Sequence, residues 1–124
     1  MKHISTGSPF EATMGYSRAI VKGGWCFVSG VTGYDYATMQ IPDDIAGQAR
    51  NCFATIAAVL AQGGFTMADI VRVQYTLSDV ALVDAVIPVL GAHLGDIRPA
   101  ATMVIAGLIK PEMLIEIEVT AFKG

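Results

Sequence analysis

Two glutamates set two residues apart are the first sign of chemistry in this chain. In Leu114-Ile115-Glu116-Ile117-Glu118-Val119 apolar and acidic residues alternate, so an extended backbone puts Glu116 and Glu118 on one face. Strand rise separates them by about 7 Å. A second carboxylate at that range raises the proton affinity of the first, which suits a group that positions or deprotonates water. The same alternation also describes a plain solvated strand face. A glycosidase-like acid pair would need an aromatic platform for sugar, and none is evident. Tyr16, Tyr34 and Tyr36 stand among glycines in expected loops, where tyrosines line pockets or fill core edges.

Two arginines offer a grip for an anion through a forked guanidinium. Arg18 follows Tyr16-Ser17 and could line a cleft. Arg98 precedes Pro99; it reads equally as a surface arginine, and it reaches a ligand only where the chain bends near Pro99. Cys26 and Cys52 form no CxxC and have no histidine partner nearby, so they read as buried, reduced thiols. His3 falls in an irregular start, and His93 reads as a partner for a helix C-terminal dipole. No metal set can be assembled from these residues, and the glycines make neither GxGxxG nor GxxxxGK. No cofactor is implied.

Composition narrows the class. The 124 residues form a single domain, 1–124, long enough to bury a core without staples. Hydrophobic residues make up 53% and charged residues only 15%, against about 25% charged in an average soluble protein. So little charge fits a chain that hides surface against copies of itself. The longest uncharged run, Asn51 to Ala68, contains Asn51, Gln62 and Gly63-Gly64 and is amphipathic, which argues against a membrane span. Met1 to Pro9 has no apolar core of the signal-peptide kind. The chain reads as cytoplasmic. Its net charge of −3 and its eight scattered basic residues give no track for a nucleic-acid backbone.

The elements that must position these residues follow from periodicity. Arg18–Lys22 and Trp25–Ser29 read as a hairpin turned by Gly23-Gly24. Gly30 to Tyr36 reads as a loop, with a further short strand near Thr38 to Ile41. Pro42-Asp43-Asp44 starts a helix whose face carries Ile45, Ala49, Cys52, Phe53, Ile56, Val59 and Leu60, ended by Gly63-Gly64. Asp69–Leu77 reads as a strand with Val71, Val73, Tyr75 and Leu77 on one side. Ser78-Asp79 caps a second helix to about Leu94, with Leu82, Val83, Val86, Ile87 and Leu90 inward and Pro88 kinking or shortening it. Ala101–Ala106 and Leu114–Phe122 are the last strands, joined through Lys110-Pro111-Glu112. The order predicts an α+β fold with two helices on one face of a sheet.

Across most of its length the chain resembles the RidA family, also called YjgF or L-PSP. Gly15-Tyr16-Ser17-Arg18-Ala19, Phe27-Val28-Ser29-Gly30, Gln48-Ala49, Asp69-Ile70-Val71, Pro99-Ala100 and Ile115-Glu116-Ile117-Glu118 carry the likeness. The resemblance implies a chorismate-mutase-like mixed sheet, a homotrimer with a central barrel, and ligand clefts between subunits. It implies hydrolysis of reactive enamines and imines to ammonia and a 2-keto acid, without cofactor or metal. It assigns Glu116 the role of positioning water and makes Tyr16, Ser29 and Gly30 parts of the pocket. Thr102 follows the position of the arginine that grips the substrate carboxylate. That position falls on Ala101.

The expected function is therefore a RidA-like small-metabolite protein that cleaves an imine, enamine or aminomuconate-type C–N bond rather than the usual 2-imino acid. Catalytic Glu116 is expected beside ligand-binding Tyr16, Arg18, Ser29, Gly30, Arg98, Ala101 and Thr102, with Arg18 or Arg98 holding the anion. The alternative is a non-catalytic metabolite-binding or regulatory trimer. Endoribonuclease activity fits the acidic charge least.

Overall fold

β-Alternation and two helical stripes fix the core. The computed structural model describes residues 1–124. Its strands are β1 (Lys2–Ile4), β2 (Ala19–Lys22), β3 (Trp25–Thr32), β4 (Ile70–Leu77), β5 (Ala100–Ile105) and β6 (Ile115–Phe122). They form one mixed sheet in the order β1-β2-β3-β6-β4-β5, with β4 and β5 parallel and the other pairs antiparallel. The helices are α1 (Pro9–Met14), α2 (Ile45–Gln62) and α3 (Val83–Leu94). The C-terminal strand β6 lies inside the sheet, between β3 and β4. Its Ile115, Ile117, Val119 and Ala121 are buried, and Glu116, Glu118, Thr120 and Phe122 face the other way.

Helices α2 and α3 cover one face. Asp44 caps α2 by accepting a hydrogen bond from the Gly47 N–H at 2.9 Å, a contact of the kind that contributes about 1 kcal/mol. Every residue expected on the inner face of α2 is buried. Phe53, Ile56 and Leu60 are fully enclosed, each contributing on the order of 1.5–3 kcal/mol. The Gly23-Gly24 turn closes the β2–β3 hairpin as expected, with Gly23 at φ 57°.

Several expectations shift. The start of the chain holds two regular elements: β1 pairs with β2, and α1 is a short helix with Ser8 at its N-cap, Pro9 in its first turn and Gly15 in the left-handed conformation after it. His3 therefore lies on a strand, its Nδ1 2.8 Å from the Ser17 hydroxyl. Strand β3 runs to Thr32, so Gly30 is strand rather than loop. Residues 35–40 close a turn with a single bridge, Asp35 to Gln40, instead of a strand. A register shift between Ile70 and Arg72 gives Ile70 the inward place and turns Val71 out. In α3, Val86, Val89 and Leu94 are buried while Ile87 is exposed, and Asp79 caps a short 3₁₀ turn, Val80–Leu82, ahead of the helix. Pro88 sits inside α3. The imidazole of His93 stacks on Phe53 with ring centroids 4.3 Å apart, and its Nδ1 donates to the Val89 carbonyl.

The other sheet face is open. Trp25, Phe27 and Phe122 cluster there, each between 41% and 48% exposed, with Trp25 and Phe122 ring centroids 4.6 Å apart. All six residues of edge strand β5 are exposed. No helix is long and apolar enough to cross a membrane.

One buried polar side chain joins the layers. Gln48 of α2 donates to the carbonyls of Pro42 and Glu112 at 2.8 and 2.9 Å and accepts from the Leu114 N–H at 2.9 Å. It pins the 110–114 loop to the helix. Gln48→Leu should lower the free energy of unfolding by about 2–4 kcal/mol in urea titrations, because three backbone groups lose their partner.

Candidate functional site

The site is assembled around an extra residue in β3. Val28 pairs with Val119 and Val31 with Ile117, so three steps on β3 match two on β6. The bulge falls at Ser29-Gly30. The Ser29 N–H bonds to the Arg18 carbonyl at 2.9 Å, and its hydroxyl donates to the Ser17 carbonyl at 2.7 Å. Gly30 leaves room for the carboxylate: a Cβ there would lie 2.5 Å from the Glu116 carboxyl carbon and displace that side chain from its present position. The glutamate side chain therefore rests directly on bare backbone.

Arg18 holds the bulge from behind. Its side chain is 1% exposed. Nη1 donates to the Gly30 carbonyl at 2.7 Å, Nη2 to the Tyr16 hydroxyl at 3.2 Å, and Nε lies 3.9 Å from a Glu11 carboxylate oxygen. The guanidinium also lies over the rings of Tyr16 and Tyr36, 5.5 and 4.9 Å from their centroids. Burial disfavours the Glu11 carboxylate, but hydrogen bonds from Thr6 and the charge of Arg18 hold its pKa below the usual value. Arg18 thus lies behind the cleft instead of lining it. The expectation that it offers a free guanidinium to a ligand gives way, because the side chain is buried and its Nη atoms bond to the Gly30 carbonyl and the Tyr16 hydroxyl.

The cleft itself holds about 270 Å³. Tyr16, Ser29, Gly30 and Glu116 line it, as expected from the sequence. Phe10 and Met14 from α1, Thr32, Tyr36, Ile109 and Met113 complete it. These were not singled out beforehand, apart from Tyr36. For α1 the signal was present in Ser8-Pro9 followed by Gly15. The Tyr36 hydroxyl accepts from the Thr32 N–H at 3.1 Å, which fixes the loop wall. Burial raises the pKa of Glu116, Glu118 adds to the rise, and Arg18 opposes it. Glu116 is thus a more basic carboxylate than an ordinary surface glutamate.

The remaining expected residues gather elsewhere. Ala101 pairs with Val73 and faces the helix side of the sheet, whereas Thr102 pairs with Gln74 on the open face, its hydroxyl 3.2 Å from an Arg72 guanidinium nitrogen. Arg98 adopts φ 53°. That left-handed turn bends the chain just before Pro99, and Arg98 and Ala101 line one groove between α3 and β5. Spacing along an extended chain would have put them on opposite faces. Within one chain this groove is separate from the Glu116 cleft. Cys26 and Cys52 are buried and free, and the Cys52 thiol donates to the Val31 carbonyl at 3.2 Å.

Comparison with known proteins agrees with this architecture. The family model described as Endoribonuclease L-PSP matches residues 6–123. A RutC family protein of Pyrococcus horikoshii is 31% identical over 109 residues, covering 87% of this chain and 86% of that protein. A crystal structure of a Mycobacterium tuberculosis member of the YjgF/YER057c/UK114 family superposes with a TM-score of 0.90 at 38% identity, covering 98% of both chains. The YjgF gene product of E. coli gives 0.89 at 25% identity over the full length of both. With a family model spanning nearly all of it and relatives at this identity, the chain belongs to the Endoribonuclease L-PSP family, the RidA or YjgF family that its motifs resemble.

Proposed function

We propose that this chain is a cofactor-independent hydrolase that cleaves the C–N bond of an imine or enamine and releases ammonia. Glu116 positions the attacking water and takes its proton. The observation that carries the reading is the Glu116 carboxylate laid on Gly30 in an aromatic, largely apolar cleft. Its raised proton affinity suits a general base. The usual 2-imino acid is not the proposed substrate, because Ala101 stands where the family's carboxylate-gripping arginine is expected. A homotrimer, with each cleft completed by a neighbouring copy, is part of the proposal. The exposed edge of β5 and the Trp25-Phe27-Phe122 patch support it as surfaces in need of cover. Two buried free cysteines accord with a cytoplasmic site of action. The acidic charge disfavours RNA as a substrate. A second reading, a non-catalytic metabolite-binding or regulatory trimer, draws its support from Ala101.

Glu116→Ala should abolish ammonia release from imines generated in situ and leave the assembly state in analytical ultracentrifugation unchanged. Undiminished ammonia release would sink the catalytic assignment. Ala101→Arg should add hydrolysis of 2-imino acids if the cleft is otherwise competent; unchanged rates would mean divergence beyond one residue.

Glu116 also links pH to stability. Its folded pKa lies above the unfolded value, so protonation favours the fold. Below the unfolded pKa both states are protonated and nothing is lost. As pH rises from the unfolded pKa through the folded one, the carboxylate ionises in its partly buried place and that stability is lost. Glu116→Gln should therefore raise Tm at pH 7, and the gain should shrink as pH falls through the titration of Glu116. Thermal scans across pH 4 to pH 8 check this sign.

A further inference from the structure

We infer that the cleft is built for a ligand with an apolar body and a neutral or cationic nitrogen, carrying no carboxylate beside the reacting carbon. The substrate class is then the imine of a primary amine, and the product released with ammonia is an aldehyde. This rests on the hydrolase reading above and names the substrate of that same cleft.

The lining is the first argument. Phe10, Tyr16, Tyr36 and Met113 offer aromatic and thioether surface to an apolar body. Within one chain no lysine, arginine or histidine lines the cleft, and its one charged group is Glu116. Glu118 adds a second negative charge on the same strand face. A ligand carboxylate there would meet two acidic neighbours with no cation in the lining to pair with it.

The second argument concerns the cations nearby. Arg18 directs its charge to Glu11, the Gly30 carbonyl and the Tyr16 hydroxyl, and is 1% exposed. Lys110 holds its ammonium 5.7 Å from the centroid of the Phe10 ring; Phe10 lines the cleft and Lys110 does not. The third argument is the edge strand. Ala100-Ala101-Thr102-Met103-Val104-Ile105 carries no charge along its whole exposed length, so a copy presenting β5 brings no anion anchor from that strand.

A protonated imine suits this field. Water adds its oxygen to the imine carbon while one of its protons passes to the Glu116 carboxylate. Glu116 returns that proton to nitrogen. The C–N bond then breaks as the remaining hydroxyl proton passes to Glu116 and the C=O forms. Ammonia leaves and takes up the proton from Glu116, so aldehyde and ammonium are the products and the carboxylate is restored.

Two ligands of one skeleton and opposite charge test the ligand class. Titrated calorimetrically into the full chain, 2-phenylethylammonium should bind at least about tenfold more tightly than 3-phenylpropanoate. Glu116→Gln should erase most of that difference. Equal or tighter binding of the carboxylate, or no binding of the ammonium, overturns the inference. A turnover arm separates it from the hydrolase reading. Imines made in situ from 2-phenylethylamine by an amine oxidase, and from phenylalanine by an amino acid oxidase, are compared for ammonia release. Faster hydrolysis of the amine-derived imine supports both statements. Faster hydrolysis of the imino acid overturns the ligand class and leaves the hydrolase standing; loss of that preference in Arg98→Ala would locate the anion anchor there. No hydrolysis of either overturns the hydrolase reading, and the binding preference then decides the ligand class by itself.

Discussion

A buried guanidinium holds the site together. Placing the Arg18 charge out of water costs several kcal/mol in general unless its donors and its charge are met. Here Glu11, the Gly30 carbonyl, the Tyr16 hydroxyl and two tyrosine rings meet most of that demand. The Nε–H lacks a hydrogen-bond partner and faces the Glu11 carboxylate from 3.9 Å. Four pieces of chain are thereby fixed to one another: α1, the start of β2, the β3 bulge and the loop carrying Tyr36. None of them is anchored by apolar packing alone. The same engagement explains why the arginine nearest the cleft in sequence cannot serve a ligand.

The bulge transmits that order to the carboxylate. Because Gly30 lacks a side chain, Glu116 can lie on the strand next to it. Because the cleft is walled by aromatic and thioether groups, the carboxylate is partly desolvated and its proton affinity rises. A stable surface would want the opposite, a well-solvated or paired glutamate. Stability is given up at this point of the cleft, a common mark of functional sites.

The far edge of the sheet has its own logic. Strand β5 is paired on one side only, to β4, and is exposed along its length. Such an edge is usually blunted by charge, yet this one carries none. The bend at Arg98 places a free arginine beside the small Ala101 in a groove under α3. A non-glycine residue in the left-handed region is held there at some cost, on the order of 1 kcal/mol. It is the backbone N–H of Arg98 that secures it, bonded to the Leu94 carbonyl at 2.8 Å.

Sequence alone determined what depends on neighbours in the chain. The stripe of α2, the Gly23-Gly24 hairpin and the alternation that puts Glu116 opposite the core are all local patterns, and local sterics and burial settle them. Tertiary structure decided what depends on distant partners. β1 is too short to announce itself and exists by pairing with β2. Val71 turned outward because the register against β6 slips at Ile70, which no alternation in β4 can reveal. Arg18 looked like a ligand anchor in sequence because its spacing to Glu11, seven residues upstream, and to the Gly30 carbonyl, twelve residues downstream, does not announce that the fold brings them to it. Long-range hydrogen bonds choose which charged groups are left for a ligand, and that choice becomes visible only when the chain is folded.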